Sequence, residues 1–331
     1  MALNSSNAVV AIDYHLQYQL VPMKMTRSTT CLVLGIFTAC STQHMSQAPL
    51  PISHAEVGVL VMAHGGGPDW NAQIENAARG LRRRMPTAVA FGMADATTLT
   101  AGLDSLSRQG VRRVAVVRLF VSGDSFLERT AALLGLEFPT KADGSEHRDG
   151  SVPIAHSLEI ATHRDGLADW SGIGPLIAQR ALQASDDPGE QSVLIVAHGA
   201  GDEAENAGLL ARMNYAAEAI RAAGFLETRV ATLREDWPEA RAAAAKGIRE
   251  FVQDQNDSGH SVIVVPFRVS GFGPYAEVLA GLTYTRGESL LPHPAISDWM
   301  EQTAMGIICG NGWRSEVTDC PEAYLATTAR S

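Results

Sequence analysis

Two histidines stand at matching places in this chain. His64 closes the aliphatic run Val59-Leu60-Val61-Met62-Ala63 and is followed by Gly65-Gly66-Gly67. His198 closes Val193-Leu194-Ile195-Val196-Ala197 and is followed by Gly199-Ala200-Gly201. A neutral imidazole binds Co²⁺, Fe²⁺, Ni²⁺ or Zn²⁺ through a ring nitrogen, and it can take up a proton near neutral pH. Both chemistries need the ring held at the edge of an open cleft.

The flanking residues supply such a position. An unbroken aliphatic run bounded by glycine reads as a parallel strand buried on both faces. A residue just past its carboxyl end lies where open α/β sheets bind ligands. Two copies suggest a duplicated domain. The turns Val121-Ser122-Gly123 and Val269-Ser270-Gly271 end equivalent strands in the two halves, so the halves match with a modest insertion in the second. Acidic side chains lie near the same ends: Asp95 and Asp124 in the first half, Glu235 and Asp236 in the second.

Taken in order, the first half predicts strands over 57–62, 88–93, 114–121 and 154–160. Helices are predicted over 71–84, 97–109, 126–134 and 175–184. Pro68-Asp69 suits a helix start, Leu99, Leu103 and Leu106 fall at helical spacing, and Gly110 is a stop. The second half predicts strands over 193–197, 228–233 and 261–269. Its helices run over 204–223 and 238–253, with another starting at 275 and a closing one over 295–307. Strands alternating with helices imply βαβ units and a parallel sheet in each half, an α/β fold.

Composition narrows the function classes. At 331 residues the chain fits one large domain or two ordinary ones. A formal net charge of −10 argues against a nucleic-acid surface. Gly65-Gly66-Gly67 lacks a P-loop lysine and matches no dinucleotide fingerprint, so no nucleotide is expected. The missing Gly-x-Ser-x-Gly elbow argues against an α/β hydrolase.

The N-terminus reads as an export signal. Lys24 and Arg27 precede a short apolar stretch, Cys31-Leu32-Val33-Leu34-Gly35-Ile36-Phe37, too short to span a membrane. Phe37-Thr38-Ala39-Cys40 resembles a bacterial lipobox, with phenylalanine where leucine is usual. That implies cleavage before Cys40, lipidation of Cys40, and an exported, membrane-anchored protein facing the periplasm. An ordinary cleaved signal is the alternative. Acyl chains at about 0.8 kcal/mol per buried CH₂ would anchor the protein stably. The expected organisation is a leader over 1–40, a tether over 41–56, a first half over 57–184, a linker over 185–191, a second half over 192–308 and a tail over 309–331. No CxxC pair is present, which argues against a thiolate zinc site. In an oxidising compartment the preferred reading of Cys309 and Cys320 is a disulfide closing a C-terminal loop; two free thiols are the alternative.

Two halves that each open on strand-Ala-His-Gly and later carry a strand-Val-Ser-Gly turn resemble the small tetrapyrrole chelatases. These are the sirohydrochlorin cobalt or iron chelatases of the CbiX/SirB type, in the class II chelatase superfamily. The resemblance covers about residues 57–305 and includes 113–123 and Leu291-Pro292-His293-Pro294. It implies two tandem chelatase-like, flavodoxin- or Rossmann-like domains, each a parallel sheet flanked by helices. It implies a divalent metal (Co, Fe or Ni) as substrate or ligand and a tetrapyrrole as small-molecule partner. By resemblance His64 corresponds to the family's first metal-binding histidine, and His198 is its duplicate. The family's second imidazole has no counterpart: Asp124 or Ser125 stands there in the first half, and Gly271-Phe272-Gly273 offers no ligand in the second. A carboxylate could replace it, which would make His64, Asp95 and Asp124 the ligand set, with His198 serving the second half.

Plainer roles stand beside these. Asp124 can cap the helix that follows it. Arg82-Arg83-Arg84 suits a solvated helix end. His147, His156 and His163 fall in a stretch expected to be surface loop. Trp237 and Tyr275 fit core packing or the wall of a macrocycle pocket. Two functions follow: a metal-inserting chelatase (a lyase), or a non-catalytic metal- or tetrapyrrole-binding lipoprotein on the same fold.

Overall fold

The structure is a computed structural model that describes residues 56–136, 151–313 and Cys320. The leader with Cys31 and Cys40, the tether through 55, His147 and most of the tail lie outside the described residues.

Each half builds a four-stranded, all-parallel sheet. In the first, β1 (Val57–Ala63), β2 (Thr87–Phe91), β3 (Arg113–Leu119) and β4 (Glu159–Thr162) pair in the order β2-β1-β3-β4. In the second, β5 (Gln191–Ala197), β6 (Thr228–Thr232), β7 (Ser261–Pro266) and β8 (Thr285–Arg286) pair in the equivalent order β6-β5-β7-β8. Two parallel sheets flanked by helices bear out the α/β expectation.

The aliphatic runs are buried on both faces, as their composition requires. Val57, Val59, Val61 and Ala63 point into one core with Ala115, Val117 and Leu119, while Leu60 and Met62 point into another with Val114 and Val116. The second sheet divides in the same way: Val193, Ile195 and Ala197 share the first core, and Leu194 and Val196 enter a third. One continuous core therefore joins the two sheets, with a separate core on the outer face of each.

Helices cover both faces of each sheet. In the first half these are α1 (Pro68–Ala77), α2 (Arg79–Arg84), α3 (Ala96–Arg108), α4 (Leu127–Leu134) and α5 (Ile173–Gln183). In the second they are α6 (Glu203–Ala222), α7 (Pro238–Asp257), α8 (Tyr275–Val278) and α9 (Pro294–Gly310). Of these, α1, α2, α5, α6 and α9 fill the shared layer, and α3, α4, α7 and α8 cover the outer faces. The closing helices are exchanged: α5 packs on β7 of the second sheet, and α9 packs on β3 of the first. Polar contacts fix the exchange. Arg180 of α5, buried, donates to the carbonyls of Leu290 and Pro292 and pairs with Glu288. Trp299 of α9 packs edge-on against His163 at the end of β4, and Trp313 donates to Glu159 at 2.9 Å. A disulfide joins Cys309 at the end of α9 to Cys320, with Cα atoms 5.7 Å apart.

Candidate functional site

His64 and His198 each follow the last residue of a central strand, at the carboxyl edge of its sheet. Both rings are oriented through Nδ1. It lies 2.6 Å from the Gly65 carbonyl in His64 and 2.9 Å from the Gly199 carbonyl in His198. A ring nitrogen facing a carbonyl oxygen must carry its hydrogen there, which leaves Nε2 with the lone pair in the neutral ring.

The two Nε2 atoms differ. In His64 the ring is exposed and Nε2 has no polar partner among the described residues. In His198 a carboxylate oxygen of Asp236 stands 3.1 Å from Nε2, and one of Glu235 stands 3.9 Å away. Glu235 is engaged elsewhere: it accepts from Arg268 at 2.5 Å and from the Tyr275 hydroxyl at 3.2 Å. Burial opposes the Arg268 charge, but Tyr275 and Glu235 more than offset it and hold the guanidinium above its usual range. Burial pushes the Tyr275 phenol up, so it stays a neutral donor. His64 presents a bare nitrogen, whereas His198 presents one covered by a carboxylate.

A tryptophan flanks each ring. Trp70 lies edge-on to His64 and donates to the His64 carbonyl at 2.8 Å; Trp237 lies edge-on to His198. Glycine is needed behind each indole. A Cβ on Gly66 would sit 2.7 Å from Trp70, and one on Gly201 2.2 Å from Trp237. The loops are closed alike, by Asn71 accepting from the Gly66 amide at 3.0 Å and Asn206 from the Ala200 amide at 3.2 Å. The amide of Gly66 is thus occupied by the chain itself.

The predicted carboxylates do not join His64. Asp95 caps α3, accepting from the Thr98 amide at 2.9 Å. Asp124 pairs with Arg212 of α6 at 3.2 Å, and Arg212 also meets Asp169 at 3.4 Å. Among the described residues, no group of three or more His, Cys, Asp or Glu side chains is disposed to hold a metal ion.

The turn after β3 is organised by Arg118, whose buried guanidinium donates to the carbonyls of Gly123 and Ser125. Burial lowers its pKa to about 10, so it stays charged. His163 accepts from the Arg118 amide at 2.9 Å. Burial, with Arg118 adding to it, drops the His163 pKa to about 3. His163 is therefore a neutral structural acceptor rather than a surface-loop residue. His156 faces the carbonyls of Leu158 and Leu134.

Residues 58–128 match the CbiX family model. The matched residues run from β1 to the start of α4 and carry His64, Asp95 and Asp124. No curated protein sequence matches the chain. Its fold is similar to that of SirB from Bacillus subtilis with Fe³⁺, with a TM-score of 0.54 and 12% identity over 75% of this chain and 94% of that one. It is also similar to the sirohydrochlorin chelatase SirB from Bacillus subtilis subspecies spizizenii in complex with cobalt, at 0.52 and 12% over 78% and 99%. At these identities the likeness is one of fold, and the fold is chelatase-like.

Trp70, Arg212 and Arg268 carry much of the site's geometry but were not singled out from sequence. Trp70 had a local signal, an indole six residues after a strand-end histidine and inside the first helical turn. Arg212 and Arg268 had none, since their partners are remote in sequence or across the two halves.

Proposed function

We propose that this protein binds a divalent metal through Nε2 of His64 and brings it to a tetrapyrrole at the carboxyl edge of the sheets. The bare, outward-facing Nε2 of His64, with its tautomer set by the Gly65 carbonyl, carries this reading. The match of residues 58–128 to the CbiX family model and the chelatase-like fold support it. Closed structural metal sites use four protein ligands; a single imidazole leaves the other positions to water or to the macrocycle. A metal held in that way is easily handed on.

Insertion would break two pyrrole N–H bonds, form metal–nitrogen bonds and release two protons. The His64 imidazole, once it has given up the metal, accepts one proton; water takes the other. Trp70 gives His64 one apolar wall. The Asp236 carboxylate covers Nε2 of His198 at 3.1 Å, which leaves His64 as the strand-end nitrogen open to a metal.

The second reading is capture without insertion. It is favoured by Asp124 being tied to Arg212 and by the lack of a ligand at Gly271-Phe272-Gly273. Adding Co²⁺ or Fe²⁺ and a metal-free tetrapyrrole to the purified protein separates the two readings. Faster absorbance change than in buffer supports insertion. No acceleration, with metal binding that His64→Ala abolishes, supports capture. No metal binding sinks both. We further propose export and lipid anchoring at Cys40, tested by metabolic labelling with a radioactive fatty acid in wild type and Cys40→Ala.

A further inference from the structure

We propose that Arg286, laid on the ring of Phe272, forms a carboxylate-binding subsite for the periphery of the tetrapyrrole. This rests on the reading of the His64 edge as a tetrapyrrole site.

A cleft of about 280 Å³ opens between the two halves, lined by Gln73 of α1 and by Gly271, Phe272, Arg286, Glu288 and Pro292 of the second half. Its position ties it to His64. The Trp70 indole donates to the His64 carbonyl at one end, and its far edge lies 3.6 Å from where a Cβ on Gly271 would be. One indole width therefore separates the strand-end histidine from the cleft rim. Gln73 fixes the same junction, accepting from Ser270 at 2.8 Å.

The cleft's charge is not balanced from within. Arg286 is exposed, and its guanidinium carbon lies 4.2 Å from the Phe272 ring centroid. Stacking of this kind holds the planar fork in place without using its donors. Among the described residues Arg286 has no carboxylate partner. Glu288 lines the same cleft, but its carboxylate is held by Arg180 at 2.6 Å. The Gln73 amide nitrogen also has no acceptor among the described residues. Arg286 and Gln73 thus offer donors at the mouth of one cleft, in a chain that is otherwise strongly acidic.

Size decides what the cleft takes. Pockets that enclose a whole drug-sized ligand run from about 300 to 1,000 Å³. This one falls just below, so it admits one side arm while the macrocycle lies across the sheet edges beside Trp70. An acetate or propionate arm fits the planar fork as a bidentate partner.

Fluorescence titration of the full-length protein with uroporphyrin, a polycarboxylated tetrapyrrole, tests this. A cationic pyridyl porphyrin serves as control, and Co²⁺ binding is measured in parallel. Arg286→Gln should weaken uroporphyrin binding about tenfold, Arg286→Lys by less, and the pyridyl porphyrin should gain nothing from Arg286. Co²⁺ binding should not change. Equal uroporphyrin affinity in wild type and Arg286→Gln would overturn the subsite while leaving His64 function standing. Failure of wild type to bind uroporphyrin while Co²⁺ still binds would overturn it too. A benzene polycarboxylate binding as tightly as uroporphyrin would assign the cleft to small carboxylates and overturn the tetrapyrrole proposal. Loss of the function reading itself would show separately, as Co²⁺ binding indifferent to His64→Ala.

Discussion

Arg212, on α6 of the second half, holds the Asp124 carboxylate of the first half at 3.2 Å. The carboxylate nearest to a replacement for the missing imidazole is thus a cross-half ion-pair partner. Asp124→Asn should leave Co²⁺ affinity within about twofold of wild type. Partly exposed pairs contribute about 0–1 kcal/mol, so the variant should melt only a few degrees lower. Arg212→Ala, which also loses Asp169, should melt lower than Asp124→Asn. Strong loss of metal binding in Asp124→Asn would return Asp124 to the ligand set.

Trp70 is placed to report on a metal at His64. It sits 6.1 Å, centroid to centroid, from His64. Co²⁺ bound at Nε2 should quench its fluorescence. In Trp70→Phe most of that quench should vanish, and in Trp237→Phe most should remain. Quenching that follows Trp237 instead would place the metal at His198.

Gly66 is fixed by the indole behind it. In Gly66→Ala the new Cβ meets Trp70 at 2.7 Å, and overpacking of this kind costs about 1–3 kcal/mol. Gly67→Ala meets nothing within 4 Å and should melt close to wild type. Similar melting of both variants would refute the indole contact as the constraint.

The central strands β1, β3, β5 and β7 were legible as aliphatic runs, and most helices through period, start and stop; β4 falls at Glu159–Thr162 rather than over 154–160, and β8, only Thr285–Arg286, carries no apolar pattern to read. Val59 to Ala63 declares burial on both faces through composition alone. The disulfide between Cys309 and Cys320 was also readable, once the chain was taken as exported. The exchange of α5 and α9 was not. Periodicity says that Ile296, Trp299 and Met300 bury a face, but not that the face meets the other half's sheet. The site was legible only in part. Strand-end position picked out His64 and His198, but not that one Nε2 is bare and the other covered. That difference turns on Asp236, 38 residues after His198, and on Arg268 drawing Glu235 aside.

His163 gives the fold an acid-sensitive point. Its folded pKa of about 3 lies below the unfolded value of about 6.5. Below the unfolded value the unfolded chain binds a proton that the folded chain refuses. Its contribution is therefore complete above about pH 6.5 and is lost as pH falls toward 3, at up to about 1.4 kcal/mol per pH unit. His163→Gln keeps an acceptor for the Arg118 amide but cannot titrate. Denaturant unfolding between pH 7 and 5 should show a shallower decline for the variant, and parallel profiles would contradict the assignment.

On the proposed reading His64, not His198, is the metal-binding nitrogen. Calorimetric titration of Co²⁺ into wild type, His64→Ala and His198→Ala tests it most directly. We expect His64→Ala to lose affinity on the order of 100-fold or more, beyond the effect of removing a supporting residue, and His198→Ala to stay within about threefold of wild type. Wild-type affinity in His64→Ala would contradict the account.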